Sequence, residues 1–358
     1  MLTIYDPVHR THAPAFEIFR GDKVACFEVA ARADIVEARL AERGHKLQPA
    51  HIDSSAVLQQ VHSARYLRFL EGAWQDWLAL DPGNAQLQPF PSVWPVRTLR
   101  SDMEPGNFTA RLGLYSMDNG CALVAGTWAA AKAAADAAAS AAAHLLAGEN
   151  AVFCCTRPPG HHAGADFMGG YCFLNNAAVA AQALLDGGVN ERVGGRAQRV
   201  ALLDVDYHHG NGTQSIFYER ADVQYISIHG DPRTEYPFYL GHADEHGAGQ
   251  GEGFNLNLPL AAGSPAVKWF AALETACDRI RDCRADALVV SLGLDTFAGD
   301  PISSFLLQAD DFTKLGERLG RLGLRTIFIL EGGYAAAELG VNAVNVIEGF
   351  ENTFGGAR

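Results

Sequence analysis

Residues 200–214 read VALLDVDYHHGNGTQ, and this stretch decides the fold class. Its opening run, 200–205, is short, rich in Val and Leu, and not strictly alternating. Strands buried on both faces of a parallel sheet have this pattern. Four further runs share it, at 151–155, 223–228, 287–294 and 326–330. Helical patterns separate several of them. Residues 175–185 stop at Gly187-Gly188, a suitable C-cap. Ser264-Pro265 reads as N-cap and N1 of another helix, with Trp269, Leu273, Cys277 and Ile280 on the sheet-facing side. A third covers 310–322. Between 129 and 143, twelve of fifteen residues are Ala, which predicts a helix over 128–147. Strand–helix–strand repetition predicts right-handed crossovers, a parallel sheet and one α/β domain over 1–358.

The residues at the C-terminal end of each run are more telling. The first run leads into Thr156-Arg157-Pro158-Pro159-Gly160-His161-His162, the second into Asp204-Val205-Asp206-Tyr207-His208-His209. The third closes on Ser227-Ile228-His229, the fourth on Gly293-Leu294-Asp295, and the fifth on Glu331-Gly332-Gly333-Tyr334. The C-terminal ends of parallel strands lie on one edge, where open α/β sheets bind ligands.

Asp204, Asp206 and His208 sit at i, i+2 and i+4 and would share a face of an extended chain. Two carboxylates and an imidazole at a buried strand end call for a cation. Asp206, His208 and the distant Asp295 make a mixed N/O set with a position open for water. That suits catalytic zinc, and Fe(II) or Co(II) would also be accepted. His161 and His162 come directly after a rigid Pro-Pro-Gly turn. Beside an activated water they offer general base and general acid. Tyr334, after two glycines, can donate to an oxyanion. Gly332-Gly333 lacks the spacing of a phosphate cradle.

Composition narrows the classes further. The chain has 358 residues, 48% apolar and 19% charged, with 28 Lys plus Arg against 41 Asp plus Glu, a formal charge of −13. That argues against nonspecific nucleic-acid binding and against an anionic membrane surface. Seven cysteines without a C-x-x-C pair point to reduced thiols. The first twenty residues contain no apolar signal core, so a cytoplasmic location is expected. Residues 81–120, rich in Pro and Gly, form an irregular insertion.

The strings RPPGHHAG (157–164), GGYCFLNNAAVAA (169–181), LDVDYHHGNGTQ (203–214), SIHGDP (227–232), GLDTFAGDP (293–301) and EGGY (331–334) resemble the zinc-dependent histone deacetylase family of the arginase–deacetylase superfamily. The start of the chain and the 81–120 insertion resemble its bacterial acetylpolyamine amidohydrolase branch. The resemblance implies one α/β domain with an eight-stranded parallel sheet. It implies one zinc per chain on Asp206, His208 and Asp295. It implies His162 as general base and acid with Asn211 as its polar partner, His161 paired with Asp204, and Tyr334 polarising the carbonyl. It implies a structural potassium at Asp204, Asp206, His208, Ser227 and Ile228. Gly170, Tyr171, Tyr236 and Ile302 would line a narrow acyl tunnel.

The activity implied is removal of an acyl group, acetyl first, from an amine, with acetylpolyamine the leading substrate. Acyl-lysine or a small amide on the same scaffold is the alternative. A manganese ureohydrolase would need a two-metal cluster with additional bridging carboxylates. A non-catalytic binding protein would be favoured by loss of Tyr334 or a ligand, and none is lost. One departure stands out. Positions that align with acids of the polyamine branch read Thr109 and Gly120, leaving Asp102, Glu104 and Asp118 to replace them. The branch also implies a homodimer through 81–120 that narrows the tunnel entrance. Six aromatics there and just before, Trp74, Trp77, Phe90, Trp94, Phe108 and Tyr115, are expected to supply its surface.

Overall fold

A computed structural model of the chain describes residues 1–187 and 197–355. Among the described residues run ten strands: β1 (Leu2–Ile4), β2 (Glu17–Phe19), β3 (Asp22–Val24), β4 (Lys46–Gln48), β5 (Ala151–Cys154), β6 (Val200–Asp204), β7 (Val223–Gly230), β8 (Asn255–Leu260), β9 (Ala287–Leu292) and β10 (Thr326–Leu330). Eight of them form one parallel sheet in the order β4-β1-β5-β10-β9-β6-β7-β8, and β2 and β3 form a separate hairpin. The five runs read from sequence are the five contiguous central strands. The remaining three are edge or near-edge strands with weaker patterns. β1 and β4 span three residues each, and β8 alternates and carries Pro259, which an edge strand tolerates.

Burial on both faces arises from the alternation of Cβ directions along a strand. Val152, Leu202, Val289 and Ile327 enter one core, with the Ala-rich helix Thr127–Leu146 and the helix Asn176–Leu185. Phe153, Leu203, Val290 and Phe328 enter the other, under the helices Ala266–Cys283, Ala309–Gly320 and Ala336–Thr353. Trp269, Leu273, Cys277 and Ile280 do face the sheet. Pro265, however, is the N-cap of its helix, with extended ψ of 158° and no side-chain cap, so Ser264 lies one residue outside the cap position. Asp186 is the C-cap of 176–185 and Gly187 takes φ 84°; Gly188 lies outside the described residues.

The insertion is irregular apart from a short turn of helix, Pro82–Gln86, and the helix Phe108–Leu114. Its aromatics are not a display surface. Phe108 and Tyr115 are buried and pack on Phe69, while Trp77 packs on Phe108 and donates to Asn84 O at 3.1 Å. Phe90 leans on Phe16. The residues left outside are aliphatic: Leu80, Leu87, Val93, Val96, Leu99 and Met103, each 54–60% exposed.

His62 shows how the fold fixes a tautomer. Its Nδ1–H donates to Gly164 O at 2.8 Å and its Nε2 accepts from Asn175 N at 3.0 Å. Burial holds the imidazole down at about 4, against an ordinary value of 6.5. Between those values the unfolded chain carries a proton that the fold does not. His62 therefore leaves stability intact above pH 6.5 and removes it as pH falls towards 4, by about 1.4 kcal/mol per unit. In His62→Gln the stability gap to the parent protein should narrow between pH 7 and 5 in denaturant titrations. A gap that stays constant would contradict this account.

Candidate active site

The C-terminal edge of the central strands gathers the polar motifs. β6 ends at Asp204, and the chain then turns rather than running on extended. Asp204 Oδ1 accepts from Asp206 N (3.1 Å), and Asp206 Oδ1 accepts from His208 N (2.8 Å). These turns, not strand pleating, bring Asp206 and His208 together. Asp295, just past β9, joins them. His208 Nδ1 lies 3.1 Å from Asp295 Oδ2 and 3.3 Å from Asp206 Oδ1, and one atom from each residue falls within 4.8 Å of the others. Asp295 Oδ1 accepts from Tyr207 N and Asp206 Oδ2 from Gly332 N, each at 2.9 Å. A Cβ at Gly332 would lie 2.6 Å from Asp206 Oδ2, so only glycine lets the chain after β10 approach this closely.

Electrostatics here show what the site accepts. Burial pushes Asp206 up, but His161 and His208 outweigh it and hold the carboxyl well below the usual range. Burial and the neighbouring Asp206 raise Asp295 to about 7. Burial opposes charge on His208, yet its hydrogen bonds to Asp206 and Asp295 raise it to about 10. Two buried carboxylates thus draw a positive charge onto the one imidazole between them. A divalent cation on the same three donors meets that demand, and the mixed N/O set fits zinc.

The tandem histidines divide their states. His161 Nδ1–H donates to Asp204 Oδ2 at 3.0 Å; burial works against its charge, but Asp204 and Asp206 raise it to about 10. His162 Nδ1 lies 2.7 Å from Asn211 Oδ1. Burial, then the neighbouring cations of His161 and His208, push it well below its ordinary value. His162 is therefore the neutral member, with Nδ1–H given to Asn211 and Nε2 left free to accept a proton.

Tyr334 comes after β10. Its N donates to Asp300 Oδ2 at 2.7 Å, and its ring lies under the Arg32 guanidinium at 4.7 Å. Arg32 also donates to Glu331 O and Gly333 O, each at 2.6 Å, and to Glu28 Oε1 at 3.0 Å. Glu28 accepts from Arg157 as well, at 2.7 Å. Glu331, which burial raises to about 7, accepts from Gly160 N, His161 N and Ser291 Oγ, tying β5, β9 and β10 together.

A cavity of about 760 Å³ opens onto this centre. His161, His162, Gly170, Tyr171, Asp206, His208, Asn211, Tyr236, Ile302 and Tyr334 all line it. Asp204 and Asp295 stand behind the lining, fully buried. Ser227 and Ile228 lie within β7, with Ser227 opposite Asp204 in register. Of the three acids considered for the insertion, only Asp118 lines the cavity. Asp102 pairs with Arg100, and Glu104 accepts from Tyr115.

Residues that the motifs did not single out also matter. Glu17 accepts from the Tyr171 hydroxyl at 2.9 Å, Arg32 and Glu28 brace the Tyr334 turn, and Asp300 joins Tyr334 N to Ile302 N. Asp300 lies inside a motif string, where a buried acid beside a Gly is a usable signal. Glu17, Glu28 and Arg32 carry no local pattern that sets them apart from surface charges.

The histone deacetylase domain model matches residues 26–350. This chain belongs to the histone deacetylase family. It is 52% identical to acetylpolyamine amidohydrolase 2 of Pseudomonas aeruginosa over 98% of this chain and 99% of that one. It is 50% identical to acetylpolyamine amidohydrolase 1 of the same organism, over the same shares of both chains. The crystal structure of acetylpolyamine aminohydrolase from Burkholderia pseudomallei superposes with a TM-score of 0.92 at 38% identity, covering 99% of this chain and 100% of that one. Family membership implies a zinc-dependent enzyme, and the Asp206, His208 and Asp295 group is the set that fits the metal. Asp206→Ala should abolish tight zinc uptake, read by elemental analysis after dialysis, while far-UV circular dichroism stays that of the parent. Full zinc occupancy in the variant would overturn the ligand assignment.

Proposed function

We propose that the chain is a zinc-dependent amidohydrolase that removes acetyl groups from slender amines, acetylpolyamines first among them. The observation that carries this reading is the convergence, at one cavity, of the His162–Asn211 and His161–Asp204 pairs, the three-donor metal set and Tyr334. The acetylpolyamine amidohydrolases of Pseudomonas aeruginosa supply the substrate class. One zinc per chain would act as a Lewis acid towards water and the substrate carbonyl. The protein residues do the rest. His162 Nε2 takes a proton from the attacking water while Asn211 holds its Nδ1–H. The Tyr334 hydroxyl donates to the oxygen that gains charge as the carbonyl carbon becomes tetrahedral. His162 returns its proton to the nitrogen as the C–N bond breaks, giving acetate and the free amine. His161, kept cationic by Asp204, adds positive charge beside that centre.

Potassium held by Asp204, Asp206, His208, Ser227 and Ile228 would brace the base of the site, where β6 and β7 run side by side. Seven cysteines with no disulfide among the described residues fit a cytoplasmic location. No helix is long and apolar enough to cross a membrane among the described residues.

The homodimer belongs to this reading too, with a changed surface. The aromatics of the insertion pack inward, so the exposed aliphatics from Leu80 to Met103 are what a second copy would cover. Val96→Glu with Leu99→Glu should give a monomer by light scattering at micromolar concentration. If the parent is itself monomeric there, the dimer is wrong.

Tyr334→Phe should keep zinc and fold yet lose about 10²–10³ in turnover on acetylated amines. A panel of acetylputrescine, acetylspermidine, an acetyl-lysine peptide and longer acyl amides tests the substrate. Efficient cleavage of folded acetylated proteins, or near-parent turnover in Tyr334→Phe, would sink this reading.

A further inference from the structure

Asp118 lies in the loop after the helix Phe108–Leu114, and none of the proposed chemistry uses it. Its carboxylate accepts three hydrogen bonds from three places in the chain. Oδ1 accepts from Gly120 N at 2.8 Å; Oδ2 accepts from Gly170 N at 3.1 Å and from the Tyr236 hydroxyl at 2.6 Å. The last is short, as a charged acceptor makes it. Burial pushes the carboxyl up, and these three donors oppose that.

Both distant partners are walls of the tunnel, and both touch His162. Gly170 takes φ 51°, and a Cβ there would stand 2.4 Å from His162 Cδ2. The Tyr236 ring meets His162 edge-on at 5.1 Å and His208 at 6.0 Å. The segment carrying Asp118 is itself held. Met117 N donates to Met168 O at 2.9 Å, and Met117 Sδ accepts from Asn211 Nδ2 at 3.1 Å. Residues 117 and 118 therefore back His162 on its Asn211 side and on its tunnel side.

We infer that Asp118 is a positioning residue that sets the bore of the tunnel by pinning Gly170 and Tyr236 against His162. A phenol on a loop would otherwise swing, and the wall would widen. The acid acts through these walls, not by attracting the substrate's charge. The kinetic arm of the test rests on the deacylase reading; the structural arm rests on geometry alone.

The test uses zinc-loaded full-length protein and the variants Asp118→Asn, Asp118→Ala, Tyr236→Phe and the Asp118→Ala/Tyr236→Phe pair. The substrates are a cationic N-acetyl diamine, its neutral N-acetyl alkylamine counterpart and the butyryl analogues of both. Asp118→Ala should raise KM for the acetyl substrates about 10- to 100-fold with zinc content unchanged. The acetyl-over-butyryl preference should shrink, equally for cationic and neutral amines. Asp118→Asn keeps an acceptor for the Tyr236 hydroxyl and should recover most of the loss. The double variant should be no worse than Asp118→Ala alone, since both changes cut the same contact. Additive losses would overturn the inference. So would a loss confined to cationic substrates and equal in Asn and Ala, which would mark Asp118 as a charge for recruitment. An inactive parent protein would sink the deacylase reading instead. The crystal structure of Asp118→Ala then decides: the Tyr236 ring and the 169–171 turn should be displaced, and unchanged walls would refute the role. If Asp118→Ala does not fold, Asp118→Asn and Tyr236→Phe carry both arms.

Discussion

Asp204, Asp206, Asp295 and Glu331 are carried to the ends of three adjacent strands and left with at most 1% exposure. A lone buried carboxylate costs several kcal/mol even after relaxation. The loops around these strands are shaped by the need to solvate the anions. Backbone N–H groups of Gly160, His161, Tyr207 and Gly332 are aimed at them, and the imidazoles of His161 and His208 stand against Asp204, Asp206 and Asp295. The geometry that suits an ion in the middle is the geometry that keeps this edge of the sheet from flying apart.

A second buried charge cluster extends the same logic outward. Glu28 sits between Arg32 and Arg157, all three at most 2% exposed. Arg32 gives an Nε–H and an Nη2–H to the carbonyls of Gly333 and Glu331. Taking one partner from such a cluster strands a buried charge, a loss of about 3–5 kcal/mol. The Tyr334 turn is held by this cluster through Arg32, which would lose two backbone hydrogen bonds if the turn moved while keeping its pair with Glu28. Structural and chemical roles cannot be separated at Arg32.

The parts legible in the sequence are those where one physical demand dominates. Continuous apolar runs bounded by turn residues are strands buried on two faces, so the five central strands are readable in nearly the right bounds. The three-donor cluster is readable because Asp206 and His208 are neighbours and Asp295 ends another such run. Elements governed by pairing rather than composition are not. β1 and β4 span three residues each and exist because β5 and its neighbours offer an edge. Aromatic content in 74–115 suggests a surface, yet Phe108 and Tyr115 find their partner in Phe69 of the same chain. Composition does not say which side of a segment faces home. Glu17 carries no local signal and Asp118 reads only as a spare acid of the insertion, since their partners Tyr171 and Tyr236 lie 154 and 118 residues away.

Strand order has a consequence for how the molecule is made. β4, β1 and β5 form one flank of the sheet and β6, β7 and β8 the other, and among the described strands their ladders are joined only through β9 and β10. A nascent chain leaves the ribosome N-terminus first, so both flanks are synthesised before anything can join them. Each waits with one strand edge open, the contacts that close it lying far along the chain, a topology that folds slowly. Among the strands, the last to emerge is β10, which zips β5 to β9 and brings Glu331 and Tyr334 with it. Closure of the sheet and completion of the reactive centre thus both wait on β10.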